Sequence, residues 1–211
     1  MQNGRFVTLE GGEGVGKSTL AQLLKVRLSE HGINVVLTRE PGGSIGGEEI
    51  RSLVLNPKSD DGWSALTQTL LFFAARSDHL DKIIAPALKR GDWVICDRFT
   101  DSTRAYQQVA GGVSSEIIEQ LDQISVGDVQ PDMTLILDMP VEDAVKRREA
   151  RNGPMDAFES KPLSFHKSVR EAFRNLGETY STRCHVLDAG QSPDEVLNQA
   201  LKIIDERFDL H

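Results

Sequence analysis

Five short, mostly apolar runs are spaced along the chain, at residues 6–9, 33–37, 93–96, 134–137 and 185–187. They are nearly continuous instead of alternating with polar residues, which is typical of strands covered on both faces. Segments of helical length separate them. The pattern therefore predicts an α/β fold with a five-stranded, mostly parallel sheet and right-handed helical crossovers.

Two helix boundaries can be located in the sequence. After the first run, a helical pattern places four leucines on one face and ends at Gly32, a residue type favoured just past a helix C-terminus; the leucines are Leu20, Leu23, Leu24 and Leu28. Residues 192–195 (SPDE) carry the capping signal of a final helix. No repeat or linker divides the chain, so we expect one domain over residues 1–211, with the Gly-Pro pair at 153–154 inside a mobile insertion.

Composition narrows the classes of protein. Apolar residues make up 39% and charged residues 27% of the 211 positions, with a net charge of −8. An acidic surface disfavours binding of nucleic acid and of anionic membranes, so a phosphate ligand would need a local basic cluster. The longest apolar run, residues 70–75, is far too short to span a membrane. With two distant cysteines and no signal peptide expected, the sequence indicates a cytoplasmic protein.

The strongest chemical signal is the segment GGEGVGKST at residues 11–19, which follows the first predicted strand and precedes a helix. A glycine, four residues and then Gly-Lys-Ser form the phosphate-binding loop pattern, in which backbone N–H groups surround phosphate oxygens. We expect Lys17 to contact the β and γ phosphates of a triphosphate. The predicted ATP contacts in this segment are Gly11, Gly12, Glu13, Gly14, Val15, Gly16, Lys17, Ser18 and Thr19.

A second signal lies at the carboxyl end of the third predicted strand, where Asp97 and Arg98 face the ligand crevice of such sheets. Asp97 and Ser18 are candidate Mg²⁺ ligands, and Arg98 is a candidate for binding a second phosphate through two parallel hydrogen bonds. An ion pair that caps a strand is the simpler alternative. The Asn-Lys-x-Asp motif of guanine recognition is missing from the sequence.

Further motifs share their order and spacing with one family. They are TREPGG at residues 38–43, LFFAAR at 71–76, DRF at 97–99, Ser102, and AYQ at 105–107. Together they resemble the bacterial thymidylate kinases from residue 6 to about residue 200. The resemblance implies a P-loop fold of five parallel strands with a mobile lid, transfer of the γ-phosphoryl group of ATP to dTMP with Mg²⁺, and a homodimer.

The resemblance also implies roles for individual residues. Phe72 would stack on thymine, and Arg76, one helical turn later, would read a base carbonyl; an ordinary core aromatic is the alternative for Phe72. Arg98 would bind the monophosphate, Tyr106 would disfavour a 2′-hydroxyl, and Glu13 would lie near the acceptor sugar and the metal. The remaining predicted dTMP contacts are Glu40, Pro41, Ser102, Thr103 and Gln107.

A basic cluster, KRREAR at residues 146–151, precedes the Gly-Pro pair and indicates a lid over about residues 146–160. By resemblance, Arg151 would contact the transferred phosphoryl group. The resemblance thus implies four catalytic residues: Lys17, Arg98, Arg151 and Glu13. Arg147 would pack on adenine, with Gln191 beside it. The family's lid commonly continues Asp-Arg-x-Glu, whereas residues 156–159 read DAFE and lack that arginine.

Two other functions remain open at this point. One is a kinase for another pyrimidine monophosphate, such as dUMP or CMP. The other is a nucleotide-dependent switch or partitioning protein, which would hydrolyse ATP slowly and phosphorylate no acceptor. The Asp97–Arg98 pair and the basic cluster of the lid favour a kinase, because a hydrolase needs no group that binds an acceptor phosphate.

Overall fold

The computed structural model describes residues 4–58, 62–150 and 157–210. Within them, five strands form one sheet in the order β2-β3-β1-β4-β5, and every neighbouring pair is parallel. The strands are β1 (Phe6–Glu10), β2 (Val35–Arg39), β3 (Trp93–Asp97), β4 (Met133–Asp138) and β5 (Cys184–Asp188). The predicted α/β fold with a five-stranded parallel sheet is confirmed.

The predicted second strand begins two residues too early. The backbone N–H of Ile33 donates to Leu28 O at 3.2 Å, so this residue still belongs to the turn that ends the first helix. The strand itself runs from Val35 to Arg39 at the edge of the sheet, beside β3. An apolar run alone does not distinguish the buried residues of such a turn from those of the strand that follows.

Helices cover both faces of the sheet. They are α1 (Lys17–Glu30), α2 (Ile45–Leu55), α3 (Ala65–His79), α4 (Ala85–Arg90), α5 (Thr100–Thr103), α6 (Ser115–Ser125), α7 (Val141–Glu149), α8 (Leu163–Thr179) and α9 (Pro193–Phe208). A π-helical turn, Leu80–Ile84, joins α3 to α4, and another, Arg104–Val109, continues α5. None of the helices in the described residues is long and apolar enough to cross a bilayer.

Side chains of β1 alternate between two cores. Val7 and Leu9 pack in the core that contains the leucines of α1 and the inner face of α9. Phe6 points to the opposite core, beside the π-helical turn after α3. Because alternate residues of a strand share a face, Glu10 lies on the same side as Phe6.

Both predicted helix boundaries are confirmed. Gly32 has φ 75° directly after α1, a backbone conformation that glycine adopts at little cost. At the start of α9, Ser192 and Glu195 form a reciprocal capping box, with Pro193 in the first helical position. These local signals fix where the first and last helices pack against the sheet.

Candidate active site

The segment between β1 and α1 forms a glycine-rich loop. Gly11, Gly14 and Gly16 adopt φ values of 131°, 79° and 104°. A Cβ at Gly11 would lie 2.5 Å from Leu137 O, and one at Gly14 would lie 2.5 Å from Ala144 O. Such contacts are too short for any side chain, so glycine at these positions lets the loop pack against β4 and α7.

Lys17 is held inside this loop. Its ammonium group donates to Gly12 O at 2.7 Å and to Gly11 O at 3.2 Å. Burial lowers the pKa of Lys17, and the nearby positive charge of Arg98 lowers it further. The lysine is therefore ordered over the loop by backbone carbonyls.

Ser18 and Asp97 meet at the base of the loop, where the Ser18 hydroxyl donates to Asp97 Oδ2 at 2.9 Å. A hydroxyl and a carboxylate are hard oxygen donors, the set that suits Mg²⁺ when substrate phosphates and water complete its octahedron. Within the described part of the chain, no group of three or more His, Cys, Asp or Glu residues could hold a metal ion. The pair thus fits a metal shared with a bound phosphate.

Arg98 lies between this loop and α5. Its Nη1 donates to Gly11 O at 2.9 Å and to Ser102 Oγ at 3.0 Å. Its Nη2 donates to Glu13 Oε1 at 2.7 Å and to Tyr106 Oη at 3.1 Å. The guanidinium is therefore fixed in orientation by groups from both the loop and the helical segment that follows β3.

Glu13 is the acidic residue inside the loop. Burial would raise the pKa of Glu13, but the charges of Arg98 and Lys17, with hydrogen bonds from Arg98 and Tyr106, outweigh it and lower the pKa to about 2. The carboxylate is ionised at neutral pH. A carboxylate in this loop would repel nearby phosphates, and its pairing with Arg98 offsets that charge.

A cavity of about 590 Å³ opens beside Arg98. We call it the acceptor cavity. It brings together residues from the loop, the segment after β2, α2, α3, the segment after β3 and the residues before α8. Its lining is Glu13, Glu40, Pro41, Arg51, Leu55, Phe72, Arg76, Arg98, Phe99, Ser102, Thr103, Tyr106, Gln107 and Phe158.

Phe72 forms part of the apolar wall of the acceptor cavity. It is partly exposed, whereas the next residue, Phe73, is only 2% exposed and belongs to a core cluster. The ring centroids of Phe72 and Phe158 lie 6.0 Å apart at an interplanar angle of 42°. A flat, apolar ligand could therefore be bound against Phe72 without disturbing the core.

Arg76 is held from behind by a buried chain of polar groups. Its Nε donates to Glu40 Oε2 at 2.7 Å, and His79 Nδ1 lies 3.0 Å from Glu40 Oε1. On the other side of the ring, His79 Nε2 lies 2.6 Å from Thr38 Oγ1. Both oxygens of Glu40 are thus engaged by protein groups, and one of them binds Arg76 Nε.

One donor of Arg76 remains for a ligand. Its Nη2 donates to Thr103 Oγ1 at 3.1 Å, while Nη1 is buried with no hydrogen-bond partner among the described residues. An unpaired buried donor is costly. Because Arg76 lines the acceptor cavity, a carbonyl oxygen of a ligand could satisfy this group.

A second cavity of about 1,080 Å³ lies on the other side of the loop. We call it the donor cavity. Arg147 lies in its wall and donates to Ala189 O at 2.9 Å and to Gly190 O at 3.4 Å. The remaining lining is Gly14, Val15, Gly16, Thr19, Leu20, Leu23, Leu137, Ala189, Gly190, Gln191, Ser192, Pro193 and Val196.

Most predicted site residues therefore line one of two cavities. Lys17, Ser18 and Asp97 lie at the base of the loop. Glu40 and Pro41 both line the acceptor cavity, and the Glu40 carboxylate also contacts Arg76 and His79. Arg151, predicted to contact the transferred phosphoryl group, lies outside the described residues, as does the start of the DAFE segment.

Sequence reasoning missed three residues in the lining of the acceptor cavity, Arg51, Leu55 and Phe158, and two that contact the lining, Glu10 and His79. Glu10 offered a signal, because it is a carboxylate at the carboxyl end of a strand, where such sheets bind ligands. Burial and the negative charge of Asp101 raise the pKa of Glu10 to about 7, against a hydrogen bond from Ser102 and the charge of Arg98. The others come from three distant segments, and no local pattern groups them.

Comparison with known proteins identifies the family. A family model described as thymidylate kinase matches residues 9–200. A thymidylate kinase from Bradyrhizobium sp. (strain ORS 278) is 48% identical over 207 residues, covering 97% of this chain and 91% of that protein. One from Bradyrhizobium sp. (strain BTAi1) is 50% identical over 195 residues, covering 92% and 86%.

A solved structure agrees with this. The crystal structure of thymidylate kinase from Ehrlichia chaffeensis superposes with a TM-score of 0.78 at 36% sequence identity, covering 96% of this chain and 99% of that one. The chain belongs to the thymidylate kinase family.

Proposed function

We propose that this chain transfers the γ-phosphoryl group of ATP to dTMP, giving dTDP and ADP. The observation that carries the proposal is that two cavities meet at one phosphate-binding loop. Glu13 lines the acceptor cavity and the next residue, Gly14, lines the donor cavity. A nucleotide-dependent switch needs one nucleotide site, whereas transfer between two nucleotides needs two adjoining ones.

ATP occupies the donor cavity in this proposal. Its adenine packs on Arg147 beside Gln191, and its phosphates follow the loop toward Lys17. Loop N–H groups and the N-terminus of α1 stabilise the negative charge. Lys17 donates to the β and γ phosphate oxygens from the position in which Gly11 and Gly12 hold it.

dTMP occupies the acceptor cavity. Its base stacks on Phe72, and a base carbonyl accepts from Arg76 Nη1, the buried donor described above. Pro41, Thr103 and Gln107 complete the surroundings of the nucleoside. The ring centroids of Tyr106 and Phe173 lie 6.2 Å apart. Tyr106, which is buried there, limits the room beside the sugar and favours a 2′-deoxyribose.

The phosphate of dTMP binds to Arg98. The guanidinium lies between Glu13 of the loop and Ser102 of α5, and so it is directed at the junction of the two cavities. This brings the attacking phosphate oxygen toward the γ-phosphoryl group. Phosphoryl transfer needs little covalent chemistry from the protein, and such positioning and charge stabilisation supply most of the catalysis.

We further propose that Ser18 and Asp97 would hold Mg²⁺ at the base of the loop. Such an ion would supply positive charge that stabilises the negative charge of the phosphate oxygens. Arg151 stays a prediction from the sequence, as a cation that a lid over about residues 146–160 brings to the transferring group. An arginine in this role contributes roughly 10³–10⁵-fold to turnover in related phosphoryl transfers.

A homodimer of single-domain chains (residues 1–211) is part of the proposal. Four large apolar side chains are exposed on three helices that pack side by side: Leu53 on α2, Leu66 and Leu70 on α3, and Ile124 on α6. A second copy could cover this surface.

Two buried, unbonded cysteines, Cys96 and Cys184, support a reducing, cytoplasmic environment.

An assay of ADP release with each nucleoside monophosphate tests the proposed function. We expect dTMP to be the best acceptor, dUMP to be weaker and AMP and GMP to be negligible. A methyl group in an apolar pocket contributes only about 1–3 kcal/mol, so dUMP retains measurable activity. Preference for CMP or dUMP would assign another pyrimidine kinase, and slow ADP release independent of any acceptor would assign a switch.

A further inference from the structure

Glu10 is a buried carboxylate that contacts Phe99 and Ser102 of the acceptor cavity and has no role in the reaction proposed above. It is the last residue of β1 and directly precedes Gly11 of the phosphate-binding loop. Its side chain is completely buried. A buried carboxylate is costly unless hydrogen-bond donors compensate for the lost water, so its partners indicate what it does.

Within the part of the chain that the structure describes, its hydrogen-bond donors all belong to the segment that follows Arg98. Glu10 Oε1 accepts from the backbone N–H of Phe99 at 2.7 Å and of Ser102 at 3.3 Å. Glu10 Oε2 accepts from the Ser102 hydroxyl at 2.6 Å. The carboxylate therefore ties the end of β1 to the first turn of α5.

This connection fixes an unusual backbone conformation. Arg98 has φ 73°, in the left-handed region that residues with a side chain rarely adopt. Its own N–H donates to Leu9 O at 2.9 Å, and the next N–H, of Phe99, donates to Glu10. Such a conformation persists only where surrounding bonds hold it, and here the bonds on both sides of Arg98 come from β1.

Glu10 also reaches the Arg98 side chain through one intermediate group. The Ser102 hydroxyl donates to Glu10 and accepts from Arg98 Nη1 at 3.0 Å. The same Nη1 donates to Gly11 O at 2.9 Å. The backbone and the side chain of Arg98 are thus both connected through hydrogen bonds to Glu10 and Gly11, the two consecutive residues at which the loop begins.

We propose that Glu10 is a positioning residue that sets the guanidinium of Arg98 in register with the phosphate-binding loop. The inference rests on the proposed function, in which Arg98 binds the phosphate of the acceptor nucleotide. Glu10 contacts no substrate. Its contribution is to keep the group that binds the acceptor phosphate at a fixed distance from the loop that binds the donor phosphates.

This role predicts that Glu10 affects binding of the phosphate group of dTMP and not binding of its nucleoside. Thymidine has the base and sugar of dTMP but lacks the group that Arg98 binds. A change at Glu10 should therefore weaken dTMP binding while leaving thymidine binding nearly unchanged. A residue that merely stabilises the fold would affect both ligands alike or neither.

Glu10→Gln is the main test variant, since it keeps the volume but offers one acceptor oxygen to three donors. We expect the Kd for dTMP, measured by titration calorimetry, to rise about tenfold or more, and the Kd for thymidine and for ATP to stay within about twofold. We expect kcat/KM for dTMP to fall by about 10–100-fold, the scale of a misplacement near 1 Å. Equal changes for dTMP and thymidine, or no change in a folded variant, would overturn the proposal.

Asp122→Asn provides a matched control. Asp122 is a buried carboxylate on α6 that accepts from Thr100 Oγ1 at 2.8 Å and has no contact with Arg98. This variant should lose thermal stability without changing the ratio of the dTMP and thymidine dissociation constants. A change in that ratio equal to that of Glu10→Gln would assign the effect to general loss of packing and contradict the proposal.

A double-mutant cycle tests the path through Ser102. If Glu10 acts through the Ser102 hydroxyl, the effects of Glu10→Gln and Ser102→Ala on dTMP binding are strongly non-additive. Should Glu10→Gln fail to fold, Glu10→Asp keeps the charge and shortens the reach to the three donors. It then has to show the same selective loss of dTMP binding, and equal loss of thymidine binding would refute the role.

Failure of this inference is distinguishable from failure of the proposed function. A wild-type chain that phosphorylates no dTMP contradicts the proposed function itself. A wild-type chain that phosphorylates dTMP, with a folded Glu10→Gln variant that binds dTMP equally well, contradicts only the role of Glu10.

Discussion

Arg98 Nη2 lies 2.7 Å from Glu13 Oε1, which pairs the cation of the acceptor cavity with the carboxylate of the phosphate-binding loop. Both side chains are largely buried, and Tyr106 donates to the same carboxylate oxygen at 3.1 Å. The group proposed to bind the acceptor phosphate is thus joined directly to the loop proposed to bind the donor.

This ion pair predicts a dependence of stability on pH. The pKa of Glu13 is about 2 in the folded chain against an ordinary value of 4.5. A lowered pKa stabilises the fold above pH 4.5, and the stabilisation is lost as the pH falls toward 2. We expect the wild type to lose up to about 3 kcal/mol more free energy of unfolding over this range than Glu13→Gln. Urea unfolding at a series of pH values measures this, and parallel profiles would contradict the pairing.

Lys17 should serve the donor and not the acceptor. Because its ammonium is held over the loop by Gly11 and Gly12, Lys17→Ala removes the cation that is proposed to contact the ATP phosphates. We expect no measurable turnover, while dTMP binding, followed by titration calorimetry, stays close to that of the wild type. Loss of dTMP binding as well would mean that the loop itself had collapsed.

Two neighbouring phenylalanines on α3 should respond differently to truncation. Phe72 lines the acceptor cavity, and Phe73 is buried in a core cluster. We expect Phe72→Ala to weaken dTMP binding by about 1–3 kcal/mol, as for base–aromatic stacking elsewhere. We expect Phe73→Ala to cost about 3–5 kcal/mol of stability. A large fall in melting temperature with unchanged dTMP affinity in Phe72→Ala would assign Phe72 to the core.

His79 should influence substrate binding without contacting it. It binds Glu40, which in turn binds Arg76, the residue proposed to contact the base. We expect His79→Ala to raise KM for dTMP about tenfold, with a smaller change in kcat, because hydrogen bonds to charged groups contribute about 1.5–3 kcal/mol. His79→Asn retains a donor near the position of Nδ1 and should recover part of the loss. If the alanine variant keeps a normal KM for dTMP in steady-state assays, Arg76 does not depend on this chain of groups.

Arg147 should affect ATP alone. It lines the donor cavity, whereas the preceding Lys146 is exposed and pairs with Asp143 at 3.0 Å. We expect Arg147→Ala to raise KM for ATP severalfold and to leave KM for dTMP unchanged, because only the adenine side of the site loses a contact. Lys146→Ala is the control and should resemble the wild type. An increase in KM for dTMP would contradict the assignment of Arg147 to the donor cavity.

The sequence predicts the sheet well because each strand is a short and nearly continuous apolar run. It predicts the loop equally well, since the glycines that close packing requires are adjacent in the chain. The predicted start of β2 is wrong because Ile33 is buried within the turn after α1 and does not belong to the strand. Periodicity alone does not separate these two reasons for an apolar residue.

The acceptor side is harder to predict for a physical reason. Glu40, His79 and Thr38 form a chain behind Arg76 through contacts between two elements distant in sequence. The sequence motif around Glu40 predicts a dTMP contact; the residue lines the acceptor cavity, and its carboxylate also binds Arg76 and His79. A motif shows that a residue matters, but only the packing shows which group it touches.

A crystal structure with dTMP and a non-hydrolysable ATP analogue tests the central claim most directly. The account predicts the thymine ring against Phe72, a base carbonyl within hydrogen-bond distance of Arg76 Nη1, and the monophosphate on Arg98. The adenine should lie beside Arg147 in the donor cavity. A thymine base bound in the donor cavity, or a monophosphate without contact to Arg98, would contradict it.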